Sequence, residues 1–203
     1  MSTRIVCLVI GYAFGCFLTA DIIARVRLGK PAREVGSGNP GMANIVSLLG
    51  VRWGVVVLIG DIGKVLVPFA LCRFVLFADL GRLSALWVGL GATLGHDFPF
   101  WAGFHGGKGV STTCATIVFN DPVGGLVSCI VGLLVVLVTK QLCFGAVIIT
   151  LVFAVFAFLH GWEAFVLACV LAVLMVAAHG RPMLDAFAGR GHRTDILAHL
   201  RRG

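Results

Sequence analysis

The residues best suited to chemistry lie in one short segment, from Gly95 to Thr113, which separates two long apolar runs. Within it, the turn Gly106-Gly107-Lys108-Gly109 precedes an apolar, helix-like run that begins at Val110. Glycines let backbone N–H groups converge on an anion, the start of a helix adds partial positive charge, and Lys108 adds a full one. The pattern predicts a phosphate site. The alternative is a flexible hairpin with Lys108 at the membrane interface.

A second polar segment, Glu34 to Asn44, follows the first apolar run. Alternation of glycine with Ser and Asn supplies backbone donors, a hydroxyl and two carboxamides, a set that suits the binding of a polar ligand or a phosphate. Ordinary loops are rich in the same residue types. We interpret the segment as a ligand-binding loop with the candidate residues Gly36, Ser37, Gly38, Asn39 and Asn44.

Two charged residues, Asp61 and Lys64, lie within an apolar run. Residues three apart share one face of a helix, so the two charges can neutralise each other. Each would cost about 2.5–3.5 kcal/mol at the centre of a bilayer, which predicts a position facing the inside of a helix bundle. They either form a structural ion pair that orders the neighbouring loops or contact the substrate.

Two histidines, His96 and His179, lie at the ends of apolar runs beside these segments. Because imidazole titrates near neutral pH, either could be a general base or a phosphate ligand. The alternative is an interfacial side chain without a catalytic role. The sequence shows no Ser/His/Asp order and no cluster of metal ligands, so we predict neither a covalent hydrolase nor a metalloenzyme.

The composition defines the class of protein. Of 203 residues, 59% are hydrophobic and only 12% are charged, which predicts a polytopic membrane protein with one domain over residues 1–203. The net charge of +7 is explained by anionic lipid headgroups and by cytoplasmic loops better than by nucleic acid. The seven cysteines have no paired spacing and are interpreted as small hydrophobic residues.

The apolar runs predict an all-α bundle of about seven transmembrane segments. A polar break at Asn120-Asp121-Pro122 makes the fourth segment too short to cross a bilayer upright. The predicted segments are Ile5–Ile23, Val51–Phe77, Leu83–Phe100, a short one from Val110, one ending near Val138, one ending near His160, and Ala164–Ala178, followed by a basic tail over 180–203.

The positive charges predict the orientation. With the N-terminus outside, twelve of the sixteen Lys and Arg residues fall on inner loops and the tail, three fall outside, and Lys64 lies within a span. The C-terminus is then cytoplasmic. This orientation brings the Glu34–Asn44 loop, the Gly95–Thr113 segment, the turn at Lys140 and His179 to one cytoplasmic face, where they would form a single site.

The motifs GSGNPG with Asn44, Asp61 with Lys64 and Pro68, and GHDFPF followed by FHGGKGVST resemble the bacterial acyl-phosphate:glycerol-3-phosphate acyltransferase family (PlsY). The resemblance covers about the first two thirds of the chain in motif order. It implies a seven-helix enzyme of the bacterial plasma membrane that transfers a fatty acyl group from acyl phosphate to the 1-hydroxyl of sn-glycerol 3-phosphate. The products would be lysophosphatidic acid and phosphate, and no cofactor or metal would be needed.

Acyl phosphate is already activated, so the mechanism needs no protein nucleophile. We assign phosphate binding to Lys108 with the backbone of Gly106, Gly107 and Gly109. Ser37 and Asn39 would orient the ligand, and His179 would be a polar contact or a proton acceptor. Asn44, Asp61, Lys64 and His96 complete the predicted substrate-binding set. No signal for an oligomeric state is present.

The chain departs from the family pattern in three places. Ser47 stands where the first motif has Arg, and Cys143 stands where a Ser is usual. The third motif is degenerate, since it keeps His179 and Gly189 but has Pro182, Asp185 and Gly191 in place of Asn, Arg and Glu. Loss of two arginines removes donors suited to a phosphate, for which Lys108, Arg181 or Arg190 would compensate in part.

These departures leave two alternatives beside the acyltransferase. One is a divergent paralogue that has a different acceptor or little activity. The other is a small transporter of a phosphorylated metabolite, although the sequence lacks the internal repeats that many transporters carry.

Overall fold

The helices of the protein follow its apolar runs. The computed structural model describes residues 2–191, which contain α-helices and no β-strand. The last part of the predicted basic tail, residues 192–203, lies outside the described residues. The helices of the described part are α1 (Ser2–Gly15), α2 (Thr19–Leu28), α3 (Met42–Leu49), α4 (Val51–Ala70), α5 (Leu83–Asp97), α6 (Val110–Asn120), α7 (Pro122–Thr139), α8 (Leu142–Leu159) and α9 (Trp162–Phe187).

Five segments of the described residues are long and apolar enough to cross a membrane. They are α1 with α2, α4 with the π-helical turn Leu71–Leu76 that extends it, α7, α8 and α9. The prediction of an all-helical membrane bundle is therefore confirmed. Helices α5 and α6 have 15 and 11 residues, fewer than the roughly 20 that span a bilayer upright. The count of seven segments and their orientation remain predictions.

The predicted break between α6 and α7 is present. Helix α6 ends at Asn120, and the Asp121 side chain caps α7 by accepting hydrogen bonds from the N–H groups of Val123 and Gly124 at 3.2 and 3.1 Å. Pro122 occupies the first position of α7, where a missing N–H costs nothing. Asp121 Oδ2 also pairs with His160 Nε2 at 2.9 Å, which joins the start of α7 to the end of α8.

The chain divides into two units, Met1–Thr116 and Ile117–Gly203. The single domain expected from the sequence remains a prediction.

In the first unit, α1 and α5 pack with their backbones close together. Gly11 and Gly15 of α1 face backbone atoms of Val88 and Ala92, while Gly91 and Gly95 of α5 face the Leu8 and Tyr12 carbonyls. A Cβ at any of the four glycines would overlap the opposite backbone. Both helices thus use the small-residue spacing that allows close contact of membrane helices.

In the second unit, α7 and α8 also pack closely at glycine residues. A Cβ on Gly132 would overlap Ile149, and a Cβ on Gly145 would overlap Val136. Farther along, the rings of Phe158 on α8 and Phe165 on α9 make an edge-to-face contact with centroids 5.5 Å apart. The unit is therefore held by close backbone packing at one helix pair and by aromatic packing at the other.

Two features of the helices differ from the sequence prediction. The first span, which lies within the candidate span Ser2–Leu28, contains a break, because α1 ends at Gly15 and α2 begins at Thr19. The last helix does not end at His179 but continues through Pro182 to Phe187. The sequence prediction placed this end where the apolar run stops, whereas the structure extends the helix so that Phe187 packs on Phe144 of α8 with ring centroids 5.2 Å apart.

A Gly91→Ala substitution should destabilise the first unit. The new methyl would meet the Leu8 carbonyl and the Tyr12 backbone nitrogen, neither of which can rotate away. Overpacking costs about 1–3 kcal/mol of unfolding free energy. The measurement is denaturation of the purified protein in detergent. Gly63→Ala on α4 is the matched control, because its methyl meets no heavy atom within 4 Å. Equal stability of the two variants would contradict close packing of α1 and α5.

The Asp121 cap should make stability depend on pH. Burial raises the pKa of Asp121, but the hydrogen bonds from His160 and from the Gly124 and Val123 amides outweigh it, so the pKa is lowered. A carboxyl group whose pKa is lower in the folded state stabilises the fold at pH values above its unfolded pKa of about 3.9. This contribution is lost as the pH falls through the folded pKa. Asp121→Ala should cost about 1 kcal/mol at neutral pH and progressively less below about pH 4. Denaturation curves across this range test it, and a penalty that does not change with pH would contradict it.

Candidate functional site

A buried ammonium group organises the polar centre of the first unit. Lys64 Nζ lies 3.0 Å from Asp61 Oδ1, and the two residues are 4% and 2% exposed. Lys64 also donates to the Phe17 carbonyl at 3.2 Å and to His96 Nδ1. The predicted bundle-facing ion pair is therefore confirmed. Its three partners match the three hydrogens of the ammonium group.

The break between α1 and α2 explains one of these partners. The last carbonyls of a helix have no partner within it. The chain leaves α1 at Gly15 and resumes helical structure at Thr19, so the Phe17 carbonyl is available to a donor from another element. Lys64 supplies that donor from α4. The helix break missed by the sequence analysis is thus where the buried charge obtains part of its solvation.

His96, at the end of α5, connects this network to the glycine turn. Its Nδ1 accepts from the Lys64 ammonium, which places the ring hydrogen of the neutral imidazole on Nε2. That nitrogen lies against Gly107, where any Cβ would overlap the imidazole ring. His96 is buried, and the nitrogen that could accept a proton already accepts from Lys64.

The amides of Gly106 and Gly107 do not point at an open site. They donate to the carbonyls of Asp97 and His96 at 2.9 and 2.8 Å, so that the turn pairs with the end of α5. The sequence analysis expected the N–H groups of these two glycines to bind phosphate. In the structure they bond to the backbone at the end of α5 instead. They let the chain pass close to α5, where a Cβ on Gly106 would overlap the His96 carbonyl.

Two threonines hold the start of α6. Thr112 donates to the Gly109 carbonyl at 3.0 Å, and Thr93 of α5 lies 3.1 Å from the Thr112 hydroxyl. Gly109 has a φ of +67°, a conformation that favours glycine. Lys108 is half-buried directly before this point. The cation at this point is Lys108, and the first N–H groups of α6 have no partner within their own helix.

Asp97 is a buried carboxylate that the sequence analysis did not select. It is the last residue of α5, is 6% exposed, and its Oδ1 has no hydrogen-bond partner among the described residues. The sequence shows a carboxylate at position 97, in the same polar segment as the Gly106–Gly109 turn. Its burial and its missing partner do not follow from the sequence, because both depend on tertiary packing.

The loop before α3 forms a second, separately anchored group. Asn44 Oδ1 accepts from the Ser37 N–H at 2.8 Å, and Asn44 Nδ2 donates to the Val35 and Ala32 carbonyls at 3.0 and 3.3 Å. Asp21 accepts from the Ala32 N–H at 2.8 Å. The Asn44 carboxamide is thus occupied by the loop backbone, whereas Ser37 is exposed at the turn that Asn44 shapes.

The second unit carries His179. The residue lies inside α9, is 4% exposed, and its Nδ1 bonds the Met175 carbonyl at 3.1 Å. Because a carbonyl only accepts, Nδ1 carries the hydrogen and Nε2 is the nitrogen that can take up a proton. Across residues 2–191, no three His, Cys, Asp or Glu side chains come together as metal ligands.

An apolar cavity of about 320 Å³ opens at the break between α1 and α2. Phe17 is one of its lining residues, and the Phe17 carbonyl accepts from Lys64, so the cavity borders the polar network. Trp101 also lines the cavity and donates from its indole nitrogen to the Cys16 carbonyl at 2.8 Å. The remaining lining residues are Ala13, Cys16, Leu18, Ile22 and Phe100.

The chain is similar to proteins of known activity along nearly its whole length. Residues 5–189 match the family model described as glycerol-3-phosphate acyltransferase. Glycerol-3-phosphate acyltransferase 1 of Lactobacillus johnsonii is 37% identical over 97% of this chain and 95% of its own length. The enzyme of the same name from Lactobacillus acidophilus is 35% identical over 98% and 96%.

Two crystal structures of the integral membrane glycerol 3-phosphate acyltransferase PlsY (YgiH) have a similar fold. The glycerol 3-phosphate form is 28% identical with a TM-score of 0.85, and the lysophosphatidic acid form is 27% identical with a TM-score of 0.83. Each comparison covers 97% of this chain and 98% of the other. This agreement supports the description of the protein as an integral, multi-pass membrane protein.

The contact between Gly107 and His96 predicts a coupled pair of mutations. Gly107→Ala should cost about 1–3 kcal/mol of unfolding free energy, because the methyl would overlap the imidazole. In a His96→Ala background the ring is gone, so the same substitution should cost much less. Denaturation of the wild type, both single variants and the double variant measures the coupling. An unchanged Gly107→Ala penalty would show that the ring does not support the turn.

Proposed function

We propose, because the chain belongs to the glycerol-3-phosphate acyltransferase family, that it transfers a fatty acyl group from acyl phosphate to the 1-hydroxyl of sn-glycerol 3-phosphate. The products are lysophosphatidic acid and inorganic phosphate. The reaction is an early step of phospholipid synthesis, and both the acyl donor and the product belong to the lipid bilayer.

The main support for the proposal is the Gly106–Gly109 turn, which packs against the buried network of Lys64 and His96. Two of its amides bond to the end of α5, and the next residues are Lys108 and the start of α6. A fixed turn holds a cation and helix amides in place before a phosphate arrives. Such preorganised donors stabilise charge that develops on a leaving group.

The residues divide between two tasks. Lys108 and the first amides of α6 neutralise the phosphate as the bond between the acyl carbon and the phosphate oxygen breaks. Ser37 and Asn39 orient a substrate from the exposed turn that Asn44 shapes. His179 is assigned as a polar contact or a proton acceptor. No protein nucleophile is needed, because acyl phosphate is activated and alignment supplies much of the rate.

The apolar cavity suits the acyl chain. It borders the Lys64 network at Phe17, and its lining is almost wholly hydrophobic. A hydrocarbon chain there is removed from water while its activated end remains near polar groups. Ala13 and Ile22, which line this cavity, are therefore residues whose size would affect chain-length preference.

The proposed orientation has seven segments, the N-terminus outside and the active site on the cytoplasmic side. Five described segments are long enough to span, and α5 and α6 supply two shorter ones. The charge distribution supports this direction, since twelve of sixteen Lys and Arg residues then lie inside.

A divergent acceptor is the second candidate, and two observations favour it. Ser47, at the position where the family pattern has Arg, donates to the Asn44 carbonyl at 2.8 Å and so binds its own helix. In the degenerate third motif, Asp185 stands in place of Arg and pairs with Arg190 at 3.4 Å. The acceptor half of the site thus has fewer cationic donors than the family pattern supplies.

Lys108→Met should lower kcat for lysophosphatidic acid formation by about 10²–10³-fold, the usual effect of removing one donor to a developing negative charge. The assay follows phosphate release and lipid product together, with purified protein, palmitoyl phosphate and glycerol 3-phosphate. Lys30→Met, at an exposed lysine, is the matched control.

The outcomes of this assay separate the candidates. Full activity of Lys108→Met would overturn the phosphate assignment. Phosphate release by the wild type without lipid product would support a different acceptor. Phosphate movement across liposomes without an acyl donor would indicate transport.

A further inference from the structure

A short aromatic segment, residues 98–104, joins the end of α5 to the glycine turn, and we call it the aromatic strap. Its aromatic residues are all exposed: Phe98, Phe100, Trp101 and Phe104. Two of them, Phe100 and Trp101, also line the apolar cavity at the break between α1 and α2. The strap therefore forms one wall of the cavity that is proposed to hold the acyl chain.

The two ends of the strap are fixed to each other. The Gly106 and Gly107 amides, just after the strap, donate to the carbonyls of Asp97 and His96, just before it, at 2.9 and 2.8 Å. The last residue of the strap, Phe104, has a φ of +61°, a conformation that persists in a bulky residue only where its surroundings fix the backbone. The strap is thus a closed loop, and the chain that leaves it is the turn that carries Lys108.

Two hydrogen bonds tie the strap to the chain on the other side of the cavity. The Tyr12 hydroxyl donates to the Phe98 carbonyl at 2.8 Å, and the Trp101 indole nitrogen donates to the Cys16 carbonyl at 2.8 Å. The Cys16 amide in turn donates to the Tyr12 carbonyl at 3.0 Å, so the two anchors lie on successive turns of one segment. Because Cys16 itself lines the cavity, the bond from Trp101 joins one wall to the other.

We propose that the aromatic strap sets the length of acyl chain that the enzyme accepts, with Trp101 as a specificity-determining residue and Tyr12 as a positioning residue. The inference rests on the proposed acyltransferase function. It deepens that function by assigning donor selectivity to side chains outside the Lys64 network. One segment lines the cavity and leads into the Lys108 turn, so the distance between the phosphate site and the cavity wall is fixed by the fold.

The Trp101 ring can limit the chain because it cannot easily be displaced. Movement of the indole would leave the Cys16 carbonyl without this donor, and a hydrocarbon chain offers no replacement. The space that the ring fills is therefore closed to the chain. One methylene more or less in an apolar pocket changes selectivity by about 10–200-fold, so the volume of one aromatic ring is enough to separate donors that differ by a few carbons.

The first test compares kcat/KM for lauroyl, palmitoyl and stearoyl phosphate in nanodiscs, with glycerol 3-phosphate as the acceptor. Trp101→Ala should raise the stearoyl-to-lauroyl ratio of kcat/KM by about tenfold or more over the wild type, because it opens the cavity. Trp101→Phe keeps a ring but loses the donor, and should shift the ratio less in the same direction. Trp162→Phe, at an exposed tryptophan that begins α9, is the matched control and should keep the wild-type ratio.

Tyr12→Phe separates the position of the strap from the size of the cavity lining. Tyr12 lies outside the cavity lining, and the variant removes only the hydroxyl that holds the Phe98 carbonyl. The stearoyl-to-lauroyl ratio should again rise, by less than in Trp101→Ala. Melting temperatures of all variants show whether they fold. An unchanged ratio in folded Trp101→Ala and Tyr12→Phe would show that the strap only supports the fold, and would overturn the inference.

A second measurement needs no variant. Wild-type protein in nanodiscs is photolabelled with hexadecylphosphonate that carries a diazirine at the end of its chain, and the labelled residues are mapped by mass spectrometry. Label within residues 98–104 that excess unlabelled hexadecylphosphonate removes would support the inference.

The other outcomes of photolabelling are equally clear. Label on the strap that the excess does not reduce would come from contact with bulk lipid, and it would overturn the inference, as would a strap without label. If the wild type makes no lysophosphatidic acid, the proposed function fails, whereas competed label would still show that the strap binds an alkyl chain.

Discussion

The Lys64 ammonium group is the constraint on which the first unit depends. A charge inside a membrane bundle must be paired and fully hydrogen-bonded, and removal of one partner from a buried pair costs about 3–5 kcal/mol. Lys64 meets this requirement with Asp61 of its own helix, the Phe17 carbonyl at the helix break and His96 of α5. Three elements must therefore converge, and His96 then fixes how closely the Gly107 backbone can approach.

Helix α5 connects this polar network to the packing of the bundle. Gly91 and Gly95 lie on the face against α1, where their backbone contacts exclude any side chain. Thr93 and His96 instead bond to α6 and α4, and the His96 carbonyl binds the turn. A shift of α5 on α1 would thus move the turn that carries Lys108. Small residues on one face allow the polar residues of the other to be positioned accurately.

The sequence was informative wherever a residue type decides the outcome alone. It predicted the helical bundle, the break at Asp121 and the Asp61–Lys64 pair, because hydrophobic runs, Pro and buried charge have strong local consequences. It did not predict the break before Thr19, the extension of α9 to Phe187, the bonds of the Gly106 and Gly107 amides, or the burial of Asp97. Each of these depends on a partner distant in sequence.

The anchoring of the first loop bears on the part that Ser47 plays in it. Asn44 and Asp21 hold the loop through its backbone, and the Ser47 hydroxyl donates to the Asn44 carbonyl. None of these loop contacts requires a cation at position 47, so the fold of the loop is separable from the charge that it presents. The exposed Ser37 turn can keep its shape while the surrounding charge changes. Substitutions at position 47 should therefore alter the charge that the loop presents before they alter the fold of the loop.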